Sequence, residues 1–243
     1  MLAGGAVVND RCEAMFEVVQ DAGKSTLPLE LAHAIRFDLD CDPIRRFPSF
    51  RGQRNFPGSW WFATTRRHIG YESWVERDQL MALDADPDIV GAASQPFRLR
   101  WPDGRHHVPD YYVRRSDGTV VIVDVRPDER IPESDAELFA RSEEVCVAAG
   151  WDYLRVGVLD PVLAANLRWL SGYRHPRVLR PRLASELLGN FAVARPLMEG
   201  AASVGDPLVV LPVLFHLLWH RCLEADLSGS VLDDRTPVSA ALS

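Results

Sequence analysis

The sequence predicts an α/β protein, a mixed central sheet flanked by helices, with a separate helical domain toward the C-terminus. Three observations carry that prediction. Between Ser73 and Val158 the periodic segments run helix, three strands, helix, strand, and a helix leading from one buried strand to the next packs back over their sheet. Two of the strands meet in the stretch HHVPDYYVRRSDGTVVIVDVRP, His106 to Pro127, where Asp117-Gly118 is a strong hairpin signal. Beyond Tyr173 the pattern turns to short apolar-faced helices followed by a Gly- and Asp-rich segment.

The hairpin organises the chemistry. Val121, Val123 and Val125 alternate with Ile122, Asp124 and Arg126, so a strand here directs Asp124 and Arg126 to one face and the valines to the other. An acid beside a cation on a buried strand costs desolvation unless something compensates it. Asp110 follows Pro109 at the start of the preceding run, and antiparallel pairing brings it beside Asp124. Adjacent carboxylates raise each other's proton affinity, and a divalent cation between them reverses that preference. Pro-Asp followed by Asp-x-basic therefore has a mechanism, in which the acids hold the ion and Arg126 steadies an attacking water or developing charge. The same residues also read as a turn aspartate and a strand acid paired with an arginine. The pattern alone does not separate the two.

Taken in order, residues 1 to about 30 have weak periodicity. Leu31 to Phe62 is rich in arginine, proline, glycine and aromatics, as in FPSFRGQRNFPGSWWF; it reads either as a loop-rich wrap or as a surface for phosphates and bases. Ser73 to Asp84 is a helix ended by Pro87. Glu76 shares the face of Leu80 and Leu83, and Glu72 is the competing acid one turn earlier. Ile89 to Trp101 is extended, with an irregularity at Pro96. His106 and His107 lead into the hairpin strand, with phosphate contact as the alternative. Ser134 and Glu137 form a capping box, Gly150 stops that helix, and Trp151 to Val158 is a strand.

Tyr173 to Leu183, with Pro176 and Pro181, reads as a linker with a basic surface. Helices are expected at Ala184–Ala194, Pro196–Val204 and Leu211–Glu224, and a wing at Leu227–Val238, which together describe a winged-helix-like domain. His216 and His220, one helical turn apart, read as core or surface residues rather than metal ligands. The expected domains are an N-terminal extension at 1–65, a catalytic domain at 66–172 and the helical domain at 173–243.

The chain has 243 residues, 47% of them hydrophobic and 25% charged, an ordinary globular composition. The apolar run Pro207–Trp219 is broken by Pro212 and His216 and falls short of a membrane span. A start without a basic region and long apolar segment, and four scattered cysteines (Cys12, Cys41, Cys146 and Cys222), predict reduced thiols in a cytoplasmic protein. A net charge of −7 argues against indiscriminate nucleic-acid coating, yet the arginines cluster at Arg45–Arg67 and Arg174–Arg182. Lys24 is the only lysine, so arginine stands where other chains use either cation.

Together, Ser73-x-x-Glu76, Leu83-Asp84-x-Asp86-Pro87, Gln95-Pro96, Pro109-Asp110 and Asp124-Val125-Arg126-Pro127 resemble the TnsA-like endonuclease subunit of heteromeric bacterial transposases. The resemblance covers residues 70 to 160, with a C-terminal part similar to that family's winged-helix-like domain. It implies a restriction-endonuclease-like fold of the PD-(D/E)XK type that uses Mg2+, with Mn2+ as substitute, to nick the 5′ strand at transposon ends in double-stranded DNA. The implied partners are an integrase-type, TnsB-like transposase and a regulatory TnsC-like ATPase. Carried over by position, Glu76 is the helix acid, Asp110 and Asp124 the sheet acids and Arg126 the basic residue, which departs from the usual lysine; Asp110 and Asp124 hold the ion on this scheme, with Glu76 completing the shell directly or through water and Val125 offering its backbone carbonyl. Gln95 is a weaker candidate. A catalytically degenerate assembly subunit and a stand-alone restriction or repair nuclease are the alternatives.

Overall fold

A computed structural model describes residues 14–21, 23–45, 56–127 and 133–241, with the backbone alone at 133–134. The chain forms two compact units. The first draws on 1–59, 68–76 and 88–157, and the second on 60–67, 77–87 and 158–243.

Strands β1 (Met15–Gln20) and β2 (Gly23–Leu27) make a hairpin, followed by single-turn helices α1 (Leu29–Ala32) and α2 (Phe37–Asp40). Strands β3 (Gly58–Phe62) and β4 (Arg67–Tyr71) pair with each other. Then come α3 (Trp74–Asp84), β5 (Ile89–Ser94), β6 (Arg98–Arg100), β7 (His106–His107), β8 (Tyr111–Arg115), β9 (Val120–Val125), α4 (Glu133–Ala148) and β10 (Asp152–Val156). One sheet has the order β10-β9-β8-β5. Its strands β5, β8 and β9 are antiparallel, and α4 carries the chain across to β10, parallel to β9. The sheet is therefore mixed, as expected for this α/β class.

A second sheet, β2-β1-β6-β7, completes the first unit. The irregularity read at Pro96 is the switch between the sheets. Gln95 adopts a φ of 46° and Pro96 has no N–H for a ladder, so the chain leaves β5's sheet and enters β6's. The expected N-terminal extension is corrected here: Phe16, Val18 and Phe37 are buried with Phe97, Tyr112, Ile122 and Trp151. Alternation along β1 turns Phe16 and Val18 to one face, and the rings of Phe16 and Phe97 meet edge-on at 4.9 Å. The expected capping box rests on the Ser134 side chain, which lies outside the described residues, as does much of the Arg-rich stretch at 46–55.

The second unit contains α5 (Pro161–Ser171), a 3-10 turn at Pro176–Val178, α6 (Pro181–Asn190), β11 (Arg195–Pro196), α7 (Leu197–Val204), α8 (Pro207–Trp219), β12 (Leu223–Glu224) and β13 (Pro237–Ala240). Its small sheet has the order β11-β13-β12. The boundary expected at 172 falls instead between Gly157 and Val158, because Leu167 and Leu170 of α5 share a core with Leu187, Phe191, Leu214 and Trp219. The expected linker after Tyr173 is regular structure: Pro176 and Pro181 each open a helical turn, where a missing N–H is harmless. The ring of Phe191 lies against Gly200, where a Cβ would come within 2.2 Å of it.

Buried polar groups pin both units. In the first, Arg114 donates to Asp38 at 2.8 Å, directly over Gly91, where a Cβ would sit 2.1 Å from Oδ2 of Asp38. In the second, buried Asp84 accepts from Trp60 Nε1 at 2.9 Å and from Ala63 N–H at 2.7 Å. Burial outweighs these donors and pushes its pKa up to about 6. Among the described residues no helix is long and apolar enough to cross a membrane.

Gly91→Ala drives a methyl into the Asp38–Arg114 pair and is expected to cost about 3 kcal/mol in urea unfolding. For Asp84 the folded pKa is the raised one, so its stabilisation is complete below about pH 4 and is lost as pH rises through about 6. The size is about 3 kcal/mol. Unfolding free energy measured from pH 4 to 7 should lose this slope in Asp84→Asn.

Candidate functional site

The register of β8 on β9 pairs Tyr111 with Val123 and Tyr112 with Ile122, and the next step along each strand brings Asp110 opposite Asp124. Both acids and Arg126 line a cleft of about 520 Å3 in the first unit, together with Val125, Glu76, Glu72, Arg45, His107 and Phe139. The residues singled out from the sequence thus come together. Gln95 is not among the lining residues. Its N–H donates to the Asp110 carbonyl at 2.8 Å, and its side-chain amide, turned to suit, exchanges bonds with Arg45 at 3.2 Å.

The acids differ in what already holds them. Asp124 is 2% exposed. Its Oδ2 sits 2.8 Å from His107 Nε2 and accepts the Tyr153 hydroxyl as well. Burial first, and then the Asp124 charge, push the Tyr153 pKa upward, so this phenol stays a donor. Asp110 is half-buried and accepts from the Val125 N–H at 2.7 Å. Its pKa stands well above the ordinary carboxylate value because of burial, then the charges of Asp124 and Glu76, against which the Val125 N–H and Arg126 act.

Glu76 faces the cleft from the first turn of α3, where it also caps the helix. Ser73 is the N-cap, accepting from Glu76 N–H at 3.2 Å, while Glu76 takes the Ser73 hydroxyl at 2.9 Å on Oε1 and the Glu72 N–H at 2.7 Å on Oε2. This is close to a capping box, and it engages both Glu76 oxygens. Burial, with the Glu72 charge adding to it, raises the Glu76 pKa against these bonds. Glu72, the competing acid, is clamped by Arg45 at 2.7 and 2.9 Å.

Sequence reasoning did not find the roles of His107, Tyr153 and Arg45. His107 lies on β7, paired with Leu99 of β6, and only the packing of the two sheets brings it to Asp124. Tyr153 reaches Asp124 through the parallel register of β10, which no local pattern encodes. Four carboxylates and two guanidiniums line the cleft, and Arg45 is taken by Glu72, so the site carries excess negative charge that suits a divalent cation. Among the described residues no three His, Cys, Asp or Glu side chains are already arranged to hold one. His216 and His220, by contrast, bond the carbonyls of Tyr173 and Arg174 at 2.7 and 3.0 Å. That is the structural role expected of them.

No protein-family model matches the chain, and no curated protein matches it.

The capping geometry yields a prediction. Glu76→Gln should destabilise the protein by about 1 kcal/mol through the α3 cap, and equally with and without Mn2+ in denaturant unfolding. A penalty that grew with Mn2+ would assign Glu76 to the ion.

Proposed function

We propose that this protein is a metal-dependent DNA endonuclease, the TnsA-like nicking subunit of a heteromeric transposase, built on a restriction-endonuclease-like core. The observation that carries the reading is the facing pair Asp110 and Asp124 on adjacent antiparallel strands, with Arg126 at the end of β9, all lining one acidic cleft. The order α3, β5, β8, β9, α4, β10, with β10 parallel to β9, supports the core. In the second unit, the succession of α6, β11, α7, α8, β12 and β13 with sheet order β11-β13-β12 supports a winged-helix domain.

Asp110 and Asp124 would hold Mg2+ or Mn2+, with Val125 adjoining. A bound ion supplies an activated water and stabilises the leaving oxygen. Arg126, exposed at the cleft, orients the scissile phosphate and offsets charge as the phosphodiester is attacked; guanidinium does this well and accepts a proton poorly. Glu76 contributes negative charge and a fixed helix end. Phe56 and Trp74, stacked at 5.5 Å and both exposed, provide a surface on which bases stack. In the second unit Arg177, Arg180 and Arg182 are exposed and suit phosphates. The partners on this reading are double-stranded transposon ends, an integrase-type transposase and a regulatory ATPase.

One observation favours the second reading, a DNA-binding assembly subunit without cleavage: Asp124 is already hydrogen-bonded to His107 and Tyr153. A plasmid-nicking assay in Mg2+ or Mn2+, with and without an integrase-type transposase, separates the two. Asp110→Ala is expected to lower nicking by about three orders of magnitude, equivalent to ~4 kcal/mol of transition-state stabilisation. Arg126→Lys should stay within about tenfold of wild type, since lysine keeps the charge. Nicking by Asp110→Ala at the wild-type rate would refute the site.

A further inference from the structure

We propose that His107 is itself a ligand of the ion held by Asp124, making the cleft a mixed imidazole–carboxylate site that selects Mn2+ and related transition metals over Mg2+. This inference rests on the reading of the cleft as a metal-dependent nuclease site and goes beyond it by adding a ligand and a metal preference.

The geometry supplies the argument. His107 Nε2 lies 2.8 Å from Asp124 Oδ2. In an octahedron with metal–ligand distances of about 2.1 Å, neighbouring ligand atoms stand ~3.0 Å apart, so the two atoms already have nearly the spacing of adjacent ligands. The ring is held in place: β7 fixes its backbone against Leu99, and buried Phe139 meets it edge-on at 5.6 Å. Its side chain is only 12% exposed, yet it lines the cleft.

The surrounding residues point the same way. Tyr153 also donates to Asp124 Oδ2 but is not among the cleft-lining residues, so it remains as an anchor when the His107 hydrogen bond gives way to coordination. Glu76, the helix acid in a three-carboxylate scheme, has both oxygens engaged by Ser73 and Glu72, and Glu72 is taken by Arg45. His107 is the cleft side chain that stands beside Asp124 with a nitrogen donor. Binding uses the neutral ring, with its proton on Nδ1 and the lone pair on Nε2. Imidazole nitrogen suits Mn2+ and the later first-row ions, whereas Mg2+ prefers oxygen, and the preference follows.

Electron spin echo envelope modulation of Mn2+ bound to the full-length wild-type chain reads the ligand directly and needs no variant to fold. The expected spectrum contains imidazole 14N modulation, lost in His107→Gln and retained in His106→Gln. Calorimetry should give a Kd for Mn2+ at least about tenfold below that for Mg2+, the gap narrowing to about threefold or less in His107→Gln. Mn2+ binding that is lost in Asp110→Asn and Asp124→Asn, but gives no nitrogen modulation in wild type, would overturn the inference and leave the nuclease reading standing. Nitrogen modulation that persists in His107→Gln would overturn it too, assigning the signal to another histidine. Absence of Mn2+ binding with and without double-stranded DNA would remove both the inference and the reading beneath it.

Discussion

A carboxylate buried in the middle of a sheet must be answered by nearby donors, and Asp124 sets that requirement for the first unit. It sits on β9 with 2% exposure, and leaving it unpaired there would cost several kcal/mol. His107 on β7 and Tyr153 on β10 supply the donors. Because β7 belongs to one sheet and β9 and β10 to the other, satisfying this single carboxylate ties the two sheets together beside the cleft. Cys146 sits near the same acid; burial, then the Asp124 charge, hold its thiol far above its ordinary pKa, so it behaves as an inert core side chain.

The other cleft acids are divided between the fold and chemistry. Glu72 is held by Arg45 and Glu76 by the first turn of α3. Asp110 has a backbone N–H from Val125 and lies next to two other acids. It is the carboxylate whose charge is least compensated, which is the condition under which a site has affinity for a cation or a proton. This uncompensated charge lies at the open end of the hairpin, beyond the buried stretch Val121–Val123 of β9.

The second unit assigns its charge differently. Helix α8 is buried from Val213 to Trp219 and exposes Leu208 and Val209 near its start, Leu208 at 84%. It carries no arginine or lysine. Three exposed cations, Arg177, Arg180 and Arg182, lie on the 3-10 turn and at the start of α6, the stretch whose prolines made it read as a linker. Proline at the first position of a helix looks like a breaker in sequence and acts as a starter in three dimensions.

How much could be read in advance divides along the same line. The helix at Trp74–Asp84, the hairpin and an irregularity near Pro96 were legible, because they rest on local signals: a proline just past the helix, an Asp-Gly turn and a proline that cannot join a ladder. The role of the N-terminal residues was not, since Phe16 and Phe37 find their core partners only when β1 pairs with β6. By itself the sequence determined that Asp110 and Asp124 belong to the two arms of one hairpin, because strand periodicity and an Asp-Gly turn are local signals. Tertiary structure decided the register that sets the two acids opposite each other and how Asp124 is held, because the partners of Asp124 lie 17 and 29 residues away along the chain, and hydrogen bonds at that distance depend on how sheets pack rather than on any neighbouring pattern.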